Sequence, residues 1–294
     1  MKRLSRVLCA VSIDDRDRNV FEHALALARR HNAKLLLLHA ALPEVAFNRG
    51  ATQRIDFLRT LRSIAEGAGV DVQVSVQRGP IAEIILLHAR ARSADVIVLG
   101  TGKKESRRGL SGWIAEQVLR DAPCPTLIVP QAWTGSALVE HILCAVDFSP
   151  ASHAAVRAAV QFSEYSKQSV TLLHVVDVGG SFLHVHSARL ATNEFHRGRG
   201  ADALAKLQSL IPPGNEGTAV GRVAVGQPVT EILRAARDTK AQLIVIGAQR
   251  RTRIGSKLFG KTGHLLRDAN CPVLAVPVAA AANHATENVR RKAA

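Results

Sequence analysis

Two stretches of this sequence are one stretch written twice. Val96 to Pro130, VIVLGTGKKESRRGLSGWIAEQVLRDAPCPTLIVP, aligns without a gap on Leu243 to Pro277, LIVIGAQRRTRIGSKLFGKTGHLLRDANCPVLAVP. Gly100 and Gly247, Arg120 and Arg267, Asp121 and Asp268, and Cys124 and Cys271 each stand 147 positions apart. Each copy reads as a buried strand ending on Gly, a basic loop, a helix closing on Leu-Arg-Asp-Ala, and a second strand opened by Cys-Pro. A chain repeating itself at this length is built from two copies of one unit.

The repeat continues towards the N-terminus. Leu8 in VLCAVS matches Leu143 in ILCAVD, His39 matches His174, and Glu83 in GPIAEII matches Glu231 in QPVTEIL. The second copy carries about a dozen extra residues between His174 and Glu231, an insertion placed over 177–215. The expected domains are 1–133 and 140–279, joined by a short linker at TGS and followed by a basic tail over 280–294. A length of 294 residues and a hydrophobic content of 47% suit two domains, each with its own packed core.

Within each copy, short apolar strands alternate with helices of 3.6-residue periodicity. Strands are expected near 6–12, 33–39, 70–77, 95–100 and 126–130, and again near 141–147, 169–176, 218–225, 241–247 and 272–277. Helices in the first copy fall near 17–31, 52–67, 80–92 and 111–121. One helix between successive strands implies right-handed crossovers and a parallel sheet covered on both faces, which is a doubly wound α/β domain made twice.

Such sheets bind ligands beyond the carboxyl ends of their strands, at the switch point where helices leave to opposite faces. There the second copy has Asp147, followed by Ser149 and Pro150, which read as helix cap and first helical residue. The first copy has Ser12 instead. Asp147 can accept from an amino group or a ribose hydroxyl, or it can serve the helix start.

ILCAVDFSPAS, LLHVVD, VGQPVTEIL, LIVIG and the Gly-loop-helix-Cys-Pro unit together resemble the universal stress protein family, in a tandem two-domain form. The resemblance implies a five-stranded sheet in the order 3-2-1-4-5 in each domain. It also implies pairing through the last strands, satisfied inside the chain as a pseudo-dimer or between chains as a homodimer. One branch of the family binds ATP through Gly-x-x-Gly, nine residues, then Gly and Ser or Thr. In the second copy Gly247 matches the first glycine, Arg250 replaces the second, Gly260 matches the third, and Lys261 and Thr262 follow. By resemblance Asp147 and Val175 line the adenosine side, while Arg250 and Lys261 supply charge where amides are missing. In the first copy Lys103 and Trp113 occupy the second and third glycine positions, with Gly112 just before. A degenerate site is expected there.

Gly255 to Thr262 also satisfies GxxxxGK[ST], which raises a slow ATP hydrolase or phosphotransferase as an alternative. A true P-loop follows its strand directly, whereas here a polar, basic segment separates Gly255 from Gly247. A net charge of +15, concentrated in Lys103 to Arg108, Arg250 to Arg253 and Arg290 to Lys292, raises a basic nucleic-acid-associated protein. Aromatic residues make up only 4% of the chain, which leaves little for stacking on bases. Cys9, Cys124, Cys144 and Cys271 read as small buried hydrophobes, since no CxxC occurs. His184, His186 and His196 in the insertion lack a third ligand at recognisable spacing, so no metal is expected. His39 and His174 are assigned hydrogen bonds at strand ends, and no catalytic residue is named.

The apolar run Val7 to Val11 is too brief for a signal sequence or a membrane span, and a cytoplasmic location is expected. The functional expectation is a non-catalytic stress-response module, binding or regulatory, that takes ATP or another adenine nucleotide in its second domain. A protein partner is left unnamed.

Overall fold

The computed structural model describes residues 3–12, 18–41, 51–101, 113–135, 139–164, 168–177, 200–215, 217–248 and 258–278; for 51–54, 113, 164 and 258–261 only the backbone is described. The basic clusters Lys103 to Arg108, Arg250 to Arg253 and Arg290 to Lys292 lie outside these residues, as do Gly112, Gly255, the three insertion histidines and the tail 280–294.

The first half contains β1 (Arg6–Ala10), α1 (Arg18–His31), β2 (Lys34–Ala41), α2 (Ala51–Gly67), β3 (Val72–Arg78), α3 (Ile81–Ala91), β4 (Val96–Gly100), α4 (Trp113–Asp121) and β5 (Thr126–Val129). The second contains β6 (His141–Ala145), α5 (Pro150–Glu164), β7 (Ser169–Val176), a helix over 200–209 here called α6, β8 (Ala219–Val225), α7 (Pro228–Asp238), β9 (Leu243–Ala248), α8 (Leu258–Asp268) and β10 (Val273–Pro277). Every strand expected from the sequence is present.

The ten strands form one sheet in the order β3-β2-β1-β4-β5-β10-β9-β6-β7-β8. Each half is parallel and reads 3-2-1-4-5, as the family resemblance implied. Among the described residues only the seam is antiparallel, where Val273 faces Ile128 and Leu274 faces Leu127. The last strands therefore pair with each other inside the chain. Both edges of β5 and β10 are occupied, so a homodimer through these strands has no edge to use; among the described residues the outer strands are β3 and β8.

The continuous sheet changes how the core is divided. Two cores exist, but they are separated by sheet face and not by domain. Val7, Leu35 and Leu37 share the α1, α2, α5 and α6 face with Ile142, Cys144 and Leu172. Leu8, Leu36 and Ile97 share the opposite face with Leu143, Ile244 and Val273. The strands are apolar on both faces because helices cover both. The four cysteines are thiols, not disulfides, and lie buried in these layers. Burial pushes the thiols of Cys124 and Cys271 up to about 12, so they stay protonated as inert hydrophobes.

The linker is clamped. The Asn19 side-chain amide donates to the carbonyls of Pro130, at 3.0 Å, and Trp133, at 3.3 Å. Trp133 packs against both core layers, and a Cβ on Gly135 would collide with its ring.

Candidate functional site at the carboxyl end of the second parallel half-sheet

Asp147 stands two residues beyond β6, at the switch point between β6 and β9. Its Oδ1 accepts from the Ser149 amide at 2.9 Å, and Ser149 Oγ accepts from the Ser152 amide at 3.2 Å. With Pro150 as the first helical residue, Ser149 is the N-cap and Asp147 braces the turn that presents it. Partial burial pushes the Asp147 carboxyl up, but hydrogen bonds from Ser149 and Ser152 and its own amide outweigh this. The group is held below the usual carboxylate range, charged and exposed at the mouth of the crevice.

Phe148, between Asp147 and the cap, has φ +60°, a left-handed backbone that a bulky residue adopts only when its surroundings demand it. Its ring lies 4.6 Å from that of His174, with Lys206 Nζ 6.0 Å from its centroid. His174 in turn donates from Nδ1 to the Val146 carbonyl at 2.8 Å. His39 does the same to Val11 at 2.9 Å, so both strand-end histidines tie β2 and β7 to the segments leaving their neighbours. The histidine bonds agree with the sequence expectation. The Phe148 anchor, which fixes the direction of Asp147, carries no sequence signal beyond its place between an Asp and a Ser-Pro cap.

Val175 is the penultimate residue of β7, half-buried, and paired with Ala224. Together with Ala145, Ala224 and Ala248 it packs on the face covered by α7 and α8. Three alanines and a valine at the ends of adjacent strands leave a shallow apolar floor beside Asp147. The alanines escaped the sequence reading, although Ala10 and Ala145 hold matching places in LCA, a signal that could have found them.

Gly247 lies on the other face. A Cβ there would come within 2.5 Å of the Ser152 nitrogen and 2.6 Å of the Ala151 oxygen. The glycine thus has a packing reason. It lets the first turn of α5, which carries the Ser149 cap, sit against the end of β9. Gly260 and Lys261 fall in the first turn of α8, and Thr262, half-buried, follows. Arg250 lies outside the described residues. Leu258 and Phe259 are already helical, whereas a P-loop needs them in an open phosphate cradle. Among the described residues no three His, Cys, Asp or Glu side chains converge as metal ligands, and no helix is long and apolar enough to cross a membrane.

The Universal stress protein family model matches this chain twice, over residues 4–130 and 139–277. The universal stress protein Rv2005c of Mycobacterium tuberculosis is 27% identical over 229 residues, 71% of each chain. A local match to the universal stress protein MJ0531 of Methanocaldococcus jannaschii is 38% identical over 73 residues, 24% of this chain and 43% of that one. Among solved structures, a universal stress protein from Archaeoglobus fulgidus has a TM-score of 0.63 at 17% identity, covering 92% of this chain and 96% of its own. The functionally unknown protein PA1789 from Pseudomonas aeruginosa has a TM-score of 0.68 at 15% identity, covering 97% and 98%. These two likenesses concern the fold.

Proposed function

The chain belongs to the universal stress protein family in its tandem form, and from that premise we propose that it is a non-catalytic binding module whose second domain takes one adenine nucleotide, ATP foremost. The observation that carries this reading is a charged, exposed carboxylate, Asp147, fixed by Ser149 beside the floor of Val175 and the strand-end alanines. A planar base lies on such a floor, and the carboxylate accepts from a ribose hydroxyl or the exocyclic amine. Arg250, Gly260, Lys261 and Thr262 are the groups for the phosphates, with the amino terminus of α8 contributing its dipole. Gly247 acts indirectly, by letting α5 hold the Asp147 turn in place. The reading of the adenosine half is supported by the fixed positions of Asp147 and the strand-end floor. The phosphate half rests on the match to the glycine motif.

Titration calorimetry on the full chain tests it. One site per chain is expected, with affinity falling tenfold or more in Asp147→Ala, since a hydrogen bond to a charged group is worth about 1.5–3 kcal/mol. Gly260→Asp removes ATP binding with the circular dichroism unchanged, and added salt weakens ATP more than adenosine. Two equal sites, undiminished affinity in Asp147→Ala, or no binding at millimolar ATP each defeat the proposal.

A further inference from the structure

A cavity of about 40 Å³ lies in the seam between the two domains, on the α1 and α5 face of the sheet. Its walls come in equivalent pairs, Leu27 with Phe162, Pro125 with Pro272 and Leu127 with Leu274, so it straddles the pseudo-twofold axis that relates the two halves. Two polar groups break this symmetry. His23 stands where the second domain has Ala158, and Gln242 stands where the first has Asp95.

His23 is only 6% exposed. Its Nδ1 donates to the Asn19 carbonyl one turn back, at 2.8 Å, which leaves Nε2 as the acceptor of a neutral ring. No described residue donates to Nε2. Burial lowers the pKa of this histidine, favouring the neutral acceptor form. Gln242 accepts from the Glu140 and His141 amides through Oε1, so its NH₂ is the end left to donate. The remaining wall is apolar, which makes a charged occupant costly. An acceptor and a donor in an otherwise apolar chamber match a single hydroxyl group on a small hydrocarbon. The fold does not require the imidazole, because Ala158 serves at the equivalent place.

We propose that this seam cavity is a binding site for a short uncharged alcohol of two or three carbons, whose hydroxyl donates to His23 Nε2 while the leucines enclose its hydrocarbon. The volume equals room for about three water molecules at ~10–15 Å³ each, so the ligand is compact. The site sits at the opposite end of β9 from the Asp147 crevice. Occupancy therefore neither needs nor reports on nucleotide binding.

The experiment is an NMR titration of the full chain, with ¹⁵N-labelled histidine, against ethanol, 1-propanol and ethane, which match the size of the cavity. The two alcohols are expected to shift the His23 Nε2 resonance and to bind several-fold to tenfold more tightly than ethane. His23→Leu, of similar volume, should bring ethanol down to the affinity of ethane, with circular dichroism confirming the fold. Leu274→Phe, which fills the chamber, should abolish both. If neither alcohol binds at millimolar concentration, the cavity holds only water and the proposal fails. It fails equally if ethane matches ethanol in the wild-type chain, a result that does not depend on any variant folding.

Discussion

The two domains are the same scaffold with different contents. At the amino end of each half of the sheet, a side-chain oxygen holds the start of the central strand. Asp95 Oδ2 accepts from the Ser5 and Arg6 amides at 2.6 and 2.9 Å, and Gln242 Oε1 accepts from Glu140 and His141 at 3.1 and 2.8 Å. Acid and amide are interchangeable there because only an acceptor is required. At the carboxyl end the differences are of kind. Ser12 faces Asp147 in the alignment and Trp113 faces Gly260, which exchanges a neutral hydroxyl for a charge and a large ring for bare backbone. The strand-holding positions need only an acceptor, whereas the carboxyl-end positions differ in charge and bulk.

The largest expected effect tests whether the glycine ending β9 belongs to the scaffold or to the ligand. Gly247→Val drives a branched side chain into the α5 backbone and should lower stability by roughly 3 kcal/mol, the upper range for overpacking. Urea unfolding measures this. A loss under 1 kcal/mol would return Gly247 to a purely ligand-facing role.

Next comes the acid sensitivity that His23 confers on one side of the axis and Ala158 does not on the other. Burial lowers the His23 pKa, opposed by the Asn19 carbonyl and by Glu22, so the unfolded chain binds the proton more readily. The stabilisation is present above the unfolded pKa of about 6.5 and is lost as pH falls below it, at up to about 1.4 kcal/mol per pH unit. In His23→Ala, Tm should fall less steeply between pH 7 and 5. An unchanged slope would remove His23 from the acid response.

A smaller effect probes the crossing of α4 and α8. Gly263 and Glu116 are equivalent residues that meet at the axis, and a Cβ on Gly263 would strike the Glu116 carboxylate. Gly263→Ala gains helix propensity of about 1 kcal/mol, offset in the wild-type chain by displacing Glu116. In a Glu116→Ala background the full gain should appear. A double-mutant cycle without coupling would show that the carboxylate yields freely.

Smallest of all are Ser93→Gly and Lys240→Gly. These equivalent residues end α3 and α7 with φ of +48° and +52°, in the same left-handed cap. Each should gain at most about 1 kcal/mol, and equally, by thermal melts. Unequal gains would mean that the two caps differ in their surroundings.

Much of this architecture was legible in the sequence, because apolar runs, Ser-Pro caps and a 147-residue echo are local signals. LIVIG marks β9 whatever lies beside it. What Gly247 is for was not legible, since that depends on which face its missing Cβ points to and on how closely α5 crosses. Likewise, the apolar content spoke of two cores but not of their division by sheet face, which follows only from the seam. Asp147 was found by type and position. Its bracing by Ser149 and its anchor at Phe148 needed coordinates, since a left-handed Phe breaks the local preference from which sequence reasoning proceeds.

The antiparallel seam also sets an order of events during synthesis. Thr126–Val129 leaves the ribosome long before Val273–Pro277 exists, so the first domain can fold with a four-residue strand, three of its residues apolar, along an unprotected edge. Until β10 arrives, that edge offers the same hydrogen bonds to any neighbouring nascent chain. The clamp of Asn19 on the Pro130 and Trp133 carbonyls fixes the direction in which the second domain leaves the first, which raises the effective concentration of the chain's own strand over a stranger's. A chain cut after the first domain would keep the edge and lose the intended occupant, and two such fragments would close on each other through β5.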